Sequence, residues 1–250
     1  MNKWKAIMFD LDNTLFSHED AFKKAISECF HKYQQKYVEK QSRIAVDTFF
    51  PVFKNYSDLF WGKFESGEIK AKEYRRQRFI ATMKDLDLPY SNDIADGFHN
   101  HYYEVVDEYS IPFDGVHSFL EWISYSQLKT AIITNGTKDT QYNKIKTMGI
   151  DKWISPNQIY VSEEIGYTKP DQKLFHLVEK EQGLKSEEIL FIGDSWKHDV
   201  VGAIEAGWEA VFLNTRNEER TTDHQPIAEY KKFTDMENDL TELIKEGRST

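Results

Sequence analysis

Two textures of apolar and polar positions run along this chain. Residues 6–9, Ala-Ile-Met-Phe, form a short apolar run that ends abruptly in Asp10 and Asp12. The run is β-favouring and too short for a helix, so it predicts a buried strand. The same texture returns at 129–134, 159–162, 189–193 and 210–213. Between these runs the apolar positions recur at helical spacing. The pattern predicts a helix ending at Met148 before Gly149, one over 171–182 stopped by Gly183, and one over 198–206 before Gly207. A turn at 112–115 leads into an amphipathic helix, a strand is predicted near Tyr230, and a last helix over about 236–246. Strands alternating with helices imply an α/β fold, a Rossmann-like parallel sheet covered on both faces.

From residue 16 to about 110 the second texture holds. Ala21-Phe22, Ala25-Ile26, Cys29-Phe30 and Tyr33 recur at helical spacing, which predicts a helix from about Glu19. Further helices are predicted over the aromatic-rich 49–64, over 70–86 and over 91–108, and no run reads as a strand. The aromatic stripes are read as core. Arg75, Arg76 and Arg78 are candidates for contact with a substrate. The organisation that follows is a core built from 1–15 and 112–250 with a helical module inserted at 16–111. Hinges are expected near 16–18 and 109–112.

Composition narrows the classes. The 250 residues carry a net charge of −10, which argues against a nucleic-acid scaffold, since that needs a basic face. An anionic substrate must therefore be attracted locally, by a metal, a lysine or backbone N–H groups. The single cysteine, Cys29, excludes an intrachain disulfide and a Cys-based metal site, and reads as a packing residue. No stretch approaches the roughly 20 apolar residues of a membrane helix. Residues 1–9 show no signal-peptide pattern, so the expected compartment is the cytoplasm.

Four polar clusters follow predicted strands or flank helix starts: Asp10 with Asp12; Thr134-Asn135-Gly136; Lys169-Pro170-Asp171; and Gly193-Asp194 with Asp199. In a parallel sheet such positions converge on the carboxyl edge, where ligands bind. Asp10 and Asp12 taken alone suit a nucleophile or metal ligand paired with an acid/base, and equally a helix cap. Asp10, Asp12 and Asp194 together make a hard oxygen site suited to Mg²⁺. Thr134 offers a hydroxyl, and Asn135 and Gly136 offer N–H groups at a helix N-terminus, an anion site. Lys169 supplies positive charge.

The motifs FDLDNT (9–14), ITNG (133–136), GYTKPD (166–171) and GDSWKHD (193–199), in this order, resemble the haloacid dehalogenase-like hydrolase superfamily and its phosphatase branch. The resemblance implies that 16–111 is an α-helical cap of the C1 type. It implies that Asp10 attacks phosphorus to give an aspartyl phosphate, and that Asp12 protonates the leaving oxygen and then activates water. Thr134, Asn135, Gly136 and Lys169 would hold the phosphoryl group. Mg²⁺, or Mn²⁺, would be held by Asp10, the Asp12 backbone carbonyl and Asp194, with Asp199 behind them. An acid of this kind calls for a raised pKa at Asp12.

Asp12 speaks against dehalogenase chemistry, because that branch lacks an acid/base aspartate there. Residues 59–69, 75–79 and 161–175 resemble bacterial house-cleaning nucleotidases that act on pyrimidine 5′-monophosphates. The expected partner is a small phosphate monoester, most simply a nucleoside 5′-monophosphate. A sugar-phosphate or phosphoglycolate phosphatase is the alternative, followed by a phosphomutase or a catalytically silent binding module. Neither a nucleic-acid polymer nor a membrane is expected as a partner, and the oligomeric state is left open.

Overall fold

The computed structural model describes residues 3–246; the outermost residues of the core range 1–15 and 112–250 lie outside them. It divides into two units, Met1–His18 with Ser110–Thr250, and Glu19–Tyr109.

The first unit is a six-stranded sheet. Its strands are β1 (Ala6–Phe9), β2 (Lys129–Thr134), β3 (Ile159–Val161), β4 (Ile189–Gly193), β5 (Glu209–Leu213) and β6 (Ala228–Tyr230), in the spatial order β3-β2-β1-β4-β5-β6. All five pairings are parallel. Every residue of β1 and β4 is buried, as strands covered on both faces must be. Ala6 and Met8 point into a cluster with Phe175, Val178, Phe191, Trp196 and Phe212. Phe9 points the other way, edge-on to Phe119, which in turn meets Phe233.

The strand order reverses at β1, whose neighbours β2 and β4 come later in the chain. Phe9 pairs with both Ile132 and Ile192, so the chain leaves the sheet at Asp10, level with Gly193. That is the switch point where open α/β sheets bind ligands. Asn13 takes a left-handed φ of 64° just beyond, and Thr14 N–H donates to Leu11 O, which turns the chain out of the sheet.

The second unit holds most of α1 (His18–Tyr37), then α2 (Val46–Glu65), α3 (Ala71–Asp85) and α4 (Asn92–Val105). Its core is aromatic: Phe30, Phe49, Phe53 and Phe79 are fully buried, and the Phe30 and Phe49 rings stack with centroids 3.7 Å apart. The remaining helices belong to the first unit. They are α5 (Val116–Tyr125), α6 (Lys138–Thr147), α7 (Ser162–Ile165), α8 (Gln172–Gln182), α9 (Gly202–Glu205) and α10 (Phe233–Glu246). One segment departs from the pattern read in the sequence. Where 198–206 predicts a single α-helix, Trp196–Val201 forms a wider π-turn that runs into α9. Asp199 and Val200 N–H both donate to Ser195 O, which opens the turn around Asp199. Among the described residues no helix is long and apolar enough to cross a membrane.

Candidate active site

Asp10 is buried at the end of β1, and each carboxylate oxygen has its own donor. Lys169 Nζ donates to Oδ1 at 2.6 Å and Thr14 Oγ1 donates to Oδ2 at 2.9 Å. Lys169 is itself buried and also donates to Asp199 Oδ1 at 2.7 Å. Burial opposes its charge, but Asp10 and Asp199 outweigh that and raise its pKa, so Lys169 is an ammonium. Its backbone is bracketed by one side chain: Asn135 Oδ1 accepts from Lys169 N–H at 2.9 Å and Asn135 Nδ2 donates to Lys169 O at 3.0 Å. The Asn135 side chain thus fixes the α7–α8 loop to the end of β2.

Asp194 follows β4, and Arg216 Nε donates to its Oδ2 at 2.6 Å. Asp199 Oδ2 accepts the Ser195 N–H at 2.9 Å. Gly193 makes this approach possible: a Cβ there would stand 2.4 Å from Asp199. Ligand atoms of Asp10, Asp194 and Asp199 all lie within 4.8 Å of one another. Burial pushes the Asp10 carboxyl up to about 7, helped by Asp199 and Asp12 and opposed by Lys169. Burial likewise pushes Asp194 up to about 8, with Asp10 and Asp199 adding to it and Arg216 opposing. A buried set of hard oxygen donors that holds its protons near neutrality fits Mg²⁺, which replaces those protons with charge.

Two sequence expectations change here. The carboxylate cluster is Asp10, Asp194 and Asp199, not Asp10, Asp12 and Asp194. The Asp12 carboxylate is held instead by α6: Lys144 Nζ donates to Oδ1 at 2.7 Å and Gln141 Nε2 to Oδ2 at 2.9 Å. The expected raised pKa of Asp12 is also reversed. Burial pushes it up, but Lys144 and hydrogen bonds outweigh burial and leave it at about 2. His18 lies 3.6 Å from Asp12, yet burial pushes its own pKa down to about 4, so near neutral pH the cation beside Asp12 is Lys144.

The phosphate cradle is narrower than the sequence suggests. Thr134 Oγ1 accepts from Gln141 Nε2 at 2.5 Å, which aims the hydroxyl hydrogen elsewhere. The Gly136 N–H donates to Ser162 Oγ at 3.1 Å, and the Lys138 N–H at the start of α6 donates to Glu163 Oε2 at 2.7 Å. Glu163 already complements the positive end of that helix, so of the expected backbone donors Gly136 is taken by the chain itself. Sequence reasoning missed Thr14, Gln141, Lys144 and Arg216. Gln141, Lys144 and Ile145 share the buried face of α6 at i, i+3 and i+4, a pattern present in the sequence.

The model of the haloacid dehalogenase-like hydrolase family matches residues 7–213. The chain belongs to this family. The HAD-hydrolase YfnB of Bacillus subtilis is 26% identical over 239 residues, covering 94% of this chain and 95% of YfnB. Its magnesium-bound crystal structure superposes with a TM-score of 0.79 at 24% identity, over 95% of this chain and 99% of that one. The pyrimidine 5′-nucleotidase YjjG of Escherichia coli is 26% identical over 219 residues, covering 87% of this chain and 89% of YjjG. The pyrimidine 5′-nucleotidase PynA of Streptococcus pneumoniae is 22% identical over 245 residues, covering 97% and 98%.

Proposed function

We propose that this family member, a phosphoric monoester hydrolase, is a Mg²⁺-dependent phosphatase that acts through an aspartyl phosphate on Asp10 and prefers pyrimidine nucleoside 5′-monophosphates. The observation that carries the reading is the setting of Asp10, buried between Lys169 and Thr14 and clustered with Asp194 and Asp199. Phosphoryl transfer needs positioning and charge neutralisation more than covalent help. The Lys169 ammonium lies against the attacking carboxylate and cancels its repulsion of the incoming dianion. The Thr134 hydroxyl, oriented by Gln141, and the Asn135 backbone take phosphoryl oxygens.

Asp12 rests as a carboxylate, the form that accepts a proton from water in the second half-reaction. A phosphoryl dianion arriving beside it raises its proton affinity, so that Asp12 takes up a proton from solvent and passes it to the leaving oxygen in the first half; the proton it later takes from water returns to solvent as phosphate leaves. Asp10, the Asp12 backbone carbonyl and Asp194 would hold Mg²⁺, with Asp199 behind them. When bound, the ion neutralises charge on the transferring group.

The substrate preference is supported by relatives that are pyrimidine 5′-nucleotidases and by the resemblance over 59–69 and 75–79. We assign Glu19–Tyr109 as the C1-type cap, the module where substrate selection resides. The cytoplasm is the proposed compartment, since nucleoside monophosphates occur there. The test is phosphate release from a panel of pyrimidine and purine 5′-monophosphates, phosphoglycolate and hexose phosphates with Mg²⁺. Preference for UMP, dUMP or dTMP supports the reading. Activity confined to sugar phosphates overturns the substrate, and full activity of Asp10→Asn overturns the mechanism.

A further inference from the structure

Helix α6 contributes two buried polar side chains that none of the four motifs contains. Gln141 is 1% exposed and Lys144 4%, and both reach the Asp12 carboxylate, one to each oxygen. Lysine is seldom buried, because its ammonium must leave water and its long stem must give up rotamer freedom. Among the described residues, Asp12 is the one carboxylate with which Lys144 forms an ion pair.

Gln141 is held more tightly still. Its Nε2 serves Asp12 Oδ2, Thr134 Oγ1 and, at 3.4 Å, Asn135 O. Its Oε1 is buried with no hydrogen-bond partner. Turning the amide over would set that oxygen against the Asp12 carboxylate, so the present orientation is imposed by Asp12. A buried orphan acceptor is costly and concentrates where function requires it. Gly136 completes the arrangement, because a Cβ there would stand 2.8 Å from Gln141 Nε2.

We propose that Lys144 and Gln141 are positioning residues for Asp12, fixing both oxygens of the acid/base carboxylate relative to Thr134. The inference rests on the reading of Asp12 as the acid that protonates the leaving group. A carboxylate held at both oxygens samples one orientation, and a proton donor fixed near its target raises the effective concentration of the acid. The contribution is therefore largest where the leaving oxygen most needs a proton. An alkoxide leaving group, as from a nucleoside 5′-monophosphate, needs it; 4-nitrophenolate does not.

The test compares kcat/KM for UMP and for 4-nitrophenyl phosphate in the wild type, Lys144→Met, Gln141→Leu and Asp12→Asn, all with saturating Mg²⁺. Because kcat/KM covers only the steps up to phosphoryl transfer, it isolates the role of the acid. Lys144→Met is expected to lose about 100-fold on UMP and less than about 10-fold on 4-nitrophenyl phosphate, the range of one misplaced general acid. Lys144→Arg is expected to recover a large part of the loss, since it restores the cation. Gln141→Leu, which also frees Thr134, should lose activity on both substrates but clearly more on UMP, and it carries the test if Lys144→Met does not fold. Equal losses on both substrates, or no loss, overturn the proposal. If Asp12→Asn itself shows no leaving-group selectivity, the assignment of Asp12 as acid fails instead.

Discussion

Loading the carboxylate cluster with Mg²⁺ should expel protons, and their number follows from the geometry. Asp10 is held up at about 7 by burial and then by Asp199 and Asp12, and Asp194 at about 8 by burial and then by Asp10 and Asp199. Without metal at pH 6.5 the cluster therefore retains between about one and two protons, and near pH 9 almost none. These protons belong to the cluster rather than to either residue. A divalent ion needs the ionised form, so binding at pH 6.5 releases between about one and two protons. The affinity should then weaken by about two to three orders of magnitude from pH 9 to pH 6. Titration calorimetry in two buffers of different ionisation enthalpy reads the proton count directly. Stability carries the same signature. Folded values above the ordinary 3.8 mean that the metal-free protein gains stability from these groups below about pH 4 and loses it as pH rises through 7 and 8. Mg²⁺ should remove that loss. Proton release below about 0.3 at pH 6.5, with an affinity flat in pH, would refute the reasoning.

Lys169→Met removes the partner of two buried carboxylates and should cost about 3–5 kcal/mol in metal-free urea unfolding at pH 8. The cost should shrink at pH 6, where protons take over from the lysine; equal losses at both pH values would count against the ion-pair account. Gly193→Ala puts a methyl 2.4 Å from Asp199 and should cost at least about 1–3 kcal/mol by thermal melting; an unchanged Tm would contradict the close packing. In the second unit, Arg78 is buried on the rings of Phe22, Phe53 and Tyr74, and its Nε has no partner. It forms no ion pair with a carboxylate among the described residues. Its Nη1 donates to the buried Tyr74 hydroxyl at 2.9 Å, so Arg78→Met should cost about 1–3 kcal/mol through the orphaned hydroxyl, and an unchanged unfolding midpoint would sink this view.

Much of the first unit was legible because a strand covered on both faces must be apolar along its whole length. Ala6–Phe9, Lys129–Thr134 and Ile189–Gly193 advertise themselves, and the polar residues just past them mark the edge of the sheet. What stayed hidden depends on groups far apart in sequence. Lys144 lies in KDTQYNKIKT, which reads as a solvated face, yet it is buried because Asp12, 132 residues earlier, draws it in. The reversed pKa of Asp12 has the same origin, since the motif shows the carboxylate but not its cation. The π-turn at Trp196–Val201 was invisible because its composition suits an α-helix equally well; the wider turn follows from Asp199 and Val200 sharing the Ser195 carbonyl.

The chain leaves the sheet unit beside the place where it returns. Phe16 bridges to Pro112, and the Phe113 N–H donates to Leu15 O at 2.9 Å. Two crossings stapled together by backbone bonds make the intervening 19–109 a cartridge: what enters and leaves there imposes little on the six strands. A version of this chain in which a short Gly-Ser loop joins His18 to Ser110 should still close its sheet around Asp10. Helical modules of other lengths should graft onto the same two ends with the carboxylates at the strand tips left in place.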